Sequence, residues 1–192
     1  MNTMVKSVDD NLGNYRIPEA ARALQEFVDD MSNWYVRRCR DRFWAKGMEQ
    51  DKVNAYMTLY TALVTVCKAA APMIPFMTEE IYQNIVRSVD ASAKESIHLC
   101  DFPVYNAEQV DEKLEADMDL VLKIVVLGRA CRNGAAIKNR QPIGQMYVKA
   151  EASLPDYDEA IILDELNVKN ITFTDDVSNF TTYNFKPQLK TV

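Results

Sequence analysis

The run Pro18-Glu-Ala-Ala-Arg-Ala-Leu-Gln-Glu-Phe-Val-Asp-Asp-Met-Ser-Asn-Trp-Tyr-Val-Arg-Arg-Cys-Arg-Asp-Arg-Phe-Trp-Ala-Lys-Gly47 decides the fold. Proline suits a first helical turn, where its missing N–H is not needed, and Glu19 meets the positive end of the helix dipole. Neither proline nor glycine interrupts 19–46, so the pattern predicts one long helix stopped at Gly47. Its second half crowds Arg37, Arg38, Arg40 and Arg42 among aromatic residues. At about 100° per residue these side chains separate onto three faces. Val36, Cys39 and Phe43 make an apolar seam for the next helix. Asn33, Arg37, Arg40 and Trp44 form a second stripe, and Arg38, Arg42 and Lys46 a third. Two readings stand. The arginines pair with carboxylates, notably those of the acidic segment 108–119, while the tryptophans fill a core. Alternatively, guanidinium groups hold phosphates and flat rings stack on unpaired bases.

Outward from this helix, residues 1–17 read as a polar lead-in. Asp51 is placed to cap a second helix with apolar residues at Tyr56, Leu59, Tyr60, Leu63, Val66, Cys67 and Ala70, a helical period ended by Pro72. Pro75 or Thr78 opens a third helix to about Val89. Residues 90–107 read as loop, and a fourth helix spans Asp111 to Cys131 or Arg132. After Gly134 the pattern changes: Ile143–Ala150 and Val168–Thr174 are β-rich, with helix-like Asp156–Leu166 between them. The fold class expected is mainly α, an antiparallel helical bundle over 1–139 followed by a small α+β piece over 140–192.

The chain has 192 residues, 48% of them hydrophobic, enough for a real core. A net charge of −6 disfavours indiscriminate DNA coating but leaves room for local basic patches. One such patch is 120–150, where Lys123, Arg129, Arg132, Lys138, Arg140 and Lys149 occur with no Asp or Glu. It reads equally as a capped helix end or as a basic Gly/Asn loop for a phosphate backbone. Four cysteines without a C-x-x-C pair suit reduced thiols and a cytoplasmic location. With His98 the only histidine, no zinc site is expected, and no apolar stretch of about 18 residues predicts a membrane span. No glycine-rich phosphate loop, metal cluster or paired nucleophile is present, so neither a reaction nor a cofactor is expected of these residues. Glu79-Glu80 reads as a dipole-favoured helix start, and His98 as structural.

Tyr15, Glu19–Val28, Asn33–Arg38 and Ala71-Pro-Met-Ile-Pro-Phe-Met-Thr-Glu-Glu-Ile-Tyr82 closely resemble the anticodon-binding bundle of class I aminoacyl-tRNA synthetases. Ser96-Ile-His-Leu99, Gly134-Ala-Ala-Ile-Lys-Asn-Arg-Gln-Pro-Ile143 and Asp164-Glu-Leu-Asn-Val-Lys169 are similar to the isoleucyl-tRNA synthetase branch, and the resemblance covers about 11–192. The family's His-Ile-Gly-His and Lys-Met-Ser-Lys-Ser motifs are absent, as is its editing domain. The resemblance thus implies a C-terminal piece of a longer ligase, continuing beyond Asn184–Val192. It implies that the parent uses ATP and Mg²⁺, whereas this piece, with its missing catalytic and editing domains as partners, binds the anticodon stem-loop of tRNA(Ile). The helical phasing and the basic loop make Arg37, Arg40 and Trp44, then Arg38 and Arg42, then Lys138 and Arg140 the expected RNA contacts. The same domain of a valine or leucine enzyme, or a stand-alone helical module binding protein, are the alternatives.

Overall fold

The computed structural model describes residues 1–150 and 154–178; the stretch Asn184–Val192 therefore lies outside the described residues. Two compact units result, Met1–Val110 and Asp111–Val192. Among the described residues the chain is mainly helical with one two-stranded parallel sheet, in keeping with the expected helical class and small α+β piece.

The first unit opens with a helix, α1 (Asn2–Gly13), where the sequence reads as a polar lead-in. Met4, Val5, Val8 and Leu12 share one face, and the polar residues between them mask that narrow stripe. Tyr15, at φ 57°, turns the chain into α2 (Ile17–Asp30), which carries Pro18 in its first turn as expected. Met4, Val5 and Val8 pack with Ala20 and Leu24 of α2 and with Val66, Ala69 and Ala70 of α4 (Gln50–Ala70). The alanines let the backbones approach closely. Burying a side chain such as Leu24 stabilises by roughly 1.5–3 kcal/mol relative to leaving it exposed.

The predicted single helix to Lys46 is segmented. Residues Met31–Val36 form a wider turn with i→i+5 bonding, the path breaks at Cys39 (φ −82°, ψ 7°), and α3 (Arg40–Trp44) follows. Side-chain packing on α4 outweighs regular phasing here. The Tyr35 hydroxyl donates to the Ala55 carbonyl at 3.0 Å, and the Phe43 ring lies 5.0 Å from that of Tyr56. The apolar seam is thus where the sequence places it, with Cys39 buried. Gly47, at φ +77°, accommodates the reversal after α3. Asp51 makes no cap bond; α4 starts at Gln50 behind Glu49, and Asp51 accepts from Arg42 instead. Of the predicted apolar stripe, Val66, Cys67 and Ala70 are buried, while Tyr56 and Tyr60 are exposed.

The third helix is α5 (Pro75–Tyr82), extended by a wider turn, Gln83–Arg87. The segment expected to be loop contains a short 3₁₀ turn, Ile97–Leu99, and a second, Ala107–Gln109, begins at its end. The Tyr82 hydroxyl donates to the Lys94 carbonyl at 2.9 Å, and Tyr82 packs with Cys67, Ala71 and Ile97.

In the second unit Asp111 caps α6 (Glu112–Gly134) by accepting from the Leu114 N–H at 3.0 Å. Strand β1 (Met146–Val148) connects through α7 (Asp156–Leu166) to β2 (Ile171–Phe173), and the strands pair in parallel, Met146 opposite Ile171. A helical crossover is what parallel neighbours require. The packing division at 110/111 and the sequence boundary near 139 are different cuts, because α6 buries its apolar face on α7. No helix among the described residues is long and apolar enough to cross a membrane.

Candidate nucleic-acid interface

Basic and aromatic side chains at the α3 end of the first unit sort into outward and inward groups. Arg40 is exposed, and its guanidinium carbon lies 5.3 Å from the centre of the Trp44 ring, itself 75% exposed. One helical turn earlier, Arg37 donates through Nε to the Asn33 carbonyl at 2.8 Å and lies 5.5 Å from the Trp34 ring. Asn33, Arg37, Arg40 and Trp44 are all exposed. Each cation over an indole is held in place by roughly 0.5–1 kcal/mol at an exposed site. Trp34, which the sequence reading left out of the site, joins this surface through its i,i+3 spacing to Arg37.

The other stripe faces differently. Arg42 makes a two-pronged pair with the Asp51 carboxylate at 2.8 and 2.7 Å and also donates to the Asp51 carbonyl at 3.2 Å. The hydrogen bonds from Arg42 hold the Asp51 carboxyl below its ordinary range and push the guanidinium's own pKa up. This pair ties α3 to the start of α4. Arg38 is half-buried.

In the second unit, Lys138 and Arg140 are exposed on the turn that follows α6. Two of their neighbours in the basic segment serve the fold. Arg129 pairs with Glu165 of α7 at 2.5 Å, and Arg132 is 3% exposed, bonded to backbone carbonyls. Six cations in one sequence segment thus divide between solvent and interior.

Two carboxyl groups reveal what the sequence hid. Glu79, read as a dipole-favoured acid, staples the 96–97 turn by accepting from Ser96 Oγ at 2.8 Å and the Ile97 N–H at 2.9 Å. Burial pushes its pKa up, but the bonds from Gln83, Ser96 and Ile97 outweigh that and hold it below its usual range. Asp158, in the first turn of α7, is buried, and its Oδ2 has no hydrogen-bond partner among the described residues. Burial, with Asp117 nearby, raises its pKa. His98 is exposed at a 3₁₀ turn. Among the described residues no group of three His, Cys, Asp or Glu side chains is arranged to hold a metal.

The surface offers cations and a stacked guanidinium–indole pair, which is chemistry for holding unpaired nucleotides. Residues 1–148 match the family described as the anticodon-binding domain of tRNA ligase. The chain is 53% identical over 189 residues to the isoleucine–tRNA ligase of Clostridium novyi, 98% of the chain and 18% of that protein. It is 50% identical to that of Clostridium tetani, with the same two coverages. With isoleucine–tRNA ligase 2 of Bacillus cereus it shares 41% over 195 residues, 100% of the chain and 18% of the relative. The chain therefore spans less than a fifth of the length of these relatives. On the family match, this chain belongs to the anticodon-binding domain family of tRNA ligases.

Proposed function

We propose that this chain holds the anticodon stem-loop of an isoleucine tRNA for a longer ligase. The observation that carries the reading is Arg40 stacked on the exposed Trp44, beside Arg37 on Trp34. Anticodon bases are single-stranded and can be splayed onto such planes, while Lys and Arg hold the loop phosphates. Lys138 and Arg140 contribute phosphate contacts; Arg38, half-buried, and Arg42, neutralised by Asp51, serve the frame. The names of the clostridial relatives support isoleucine over valine or leucine. The functional bundle ends near residue 139, close to the limit of the family match at 148.

The whole ligase would activate isoleucine with ATP and Mg²⁺ in its catalytic domain and edit errors in another. This chain carries neither nucleotide motif, so no step of that chemistry is assigned to its residues. Its contribution is binding energy realised far from the reacting atoms. The four free cysteines suit a reducing, cytoplasmic setting.

Fluorescence titration with the anticodon stem-loop RNA of tRNA(Ile) tests the proposal. Trp44→Ala is expected to weaken binding by about 5- to 100-fold, the worth of one base–aromatic stack, with helix content unchanged. Unaltered affinity would overturn the stacking role. Equal affinity for the stem-loop of tRNA(Val) would overturn the isoleucine assignment.

A further inference from the structure

The exposed basic turn is gripped from beneath by two side chains that lie outside the contact set. Arg132 sends Nη1 to the Lys138 carbonyl at 3.0 Å and Nη2 to the Gln141 carbonyl at 2.8 Å. The same guanidinium reaches the end of α7, with Nε 2.9 Å from the Leu166 carbonyl and Nη2 3.2 Å from that of Asn167. Asn167, in the left-handed region at φ 48°, donates its Nδ2 to the Asn139 carbonyl at 3.2 Å. The turn closes on itself through the Gln141 N–H to the Lys138 carbonyl at 2.9 Å. The carbonyls of Lys138, Asn139 and Gln141 are thus all occupied by the clamp, while the Lys138 and Arg140 side chains stand in solvent.

We propose that Arg132 and Asn167 are positioning residues for RNA binding: they fix the 138–141 turn so that Lys138 and Arg140 present their charges already ordered. The inference rests on the reading of Lys138 and Arg140 as RNA contacts. Ordering a loop before binding removes an entropic cost that would otherwise be charged to affinity. Only a guanidinium does this from position 132, because its planar fork spans the turn on one side and the α7 end on the other. The buried charge is satisfied by carbonyl dipoles at the negative end of α7.

The test is a cycle on the full chain, with affinity for the anticodon stem-loop RNA and its salt slope as readouts. Lys138→Ala with Arg140→Ala should weaken binding and lower the salt slope by roughly 1–2. If neither changes, the RNA-contact reading of this turn fails, and the positioning role fails with it. Asn167→Gly keeps the left-handed backbone favourable and removes only the amide. It should weaken binding by about 3- to 10-fold alone, yet add nothing in the Lys138→Ala/Arg140→Ala background. Arg132→Lys should behave likewise with a larger loss. If Arg132→Lys unfolds the second unit, the Asn167→Gly cycle still decides. No loss from Asn167→Gly alone, or a loss that adds in full to the double variant, overturns the positioning role while leaving the contacts intact.

Discussion

At the residue scale, chemically identical side chains take different jobs according to what surrounds them. Arg40 faces solvent over an indole, Arg42 is neutralised by a carboxylate, and Arg132 is buried among carbonyls. The carboxyls divide in the same way, and their signs make separate predictions. Glu79 is held below its ordinary value of 4.5, so its contribution is full above that value and is lost as pH falls through the depressed one. Asp158 is raised above its ordinary 3.8, so its contribution is full below that value and is lost as pH rises through the raised one. Burial makes the charged form of Asp158 the costlier one in the folded chain, with Oδ2 lacking a hydrogen-bond partner among the described residues. Asp158→Asn is therefore expected to raise the thermal midpoint at about pH 7 and to narrow its difference from the midpoint at about pH 4. A lower midpoint at neutral pH would mean that the Asp158 charge is stabilising.

At the element scale, helix contacts are set by where small residues allow approach. A Cβ added at Gly128 of α6 would lie 2.3 Å from Leu166 Cδ1 and 3.3 Å from its Cγ. Leu166 is 1% exposed, and its side chain must shift for the contact to be relieved. Alanine favours a helix interior over glycine by about 1 kcal/mol, whereas overpacking costs about 1–3 kcal/mol. Gly128→Ala is expected to destabilise the second unit, by about 1 kcal/mol net, in urea unfolding followed by circular dichroism. A gain in stability would show that Leu166 repacks. The same scale explains the helix missed at the N-terminus: four apolar positions in α1 form a face only once Leu24 and Val66 lie against it.

At the scale of the whole molecule, a chain of net charge −6 keeps Arg37, Arg40, Lys138 and Arg140 exposed among its other outward cations. Binding to RNA should then depend steeply on salt despite the unfavourable total charge. If Arg37, Arg40, Lys138 and Arg140 each meet a phosphate, log K should fall with log salt at a slope of roughly −3. A flat dependence, measured by the same fluorescence titration across salt concentrations, would instead favour an apolar or protein partner.

The linear pattern by itself determined the helical class, the starts of several helices and, through the order of its motifs, the family. Those are local properties: proline and glycine positions, period and capping act within a few residues. Tertiary structure alone decided which arginines are buried or ion-paired and which stand in solvent. Helical phasing sorts side chains around one axis but does not say which neighbour covers each face. Asp51 meets Arg42 across nine positions, and Leu166 meets Arg132 across thirty-four. Nothing in the local sequence encodes those distances, and they separate a buried clamp from an exposed contact.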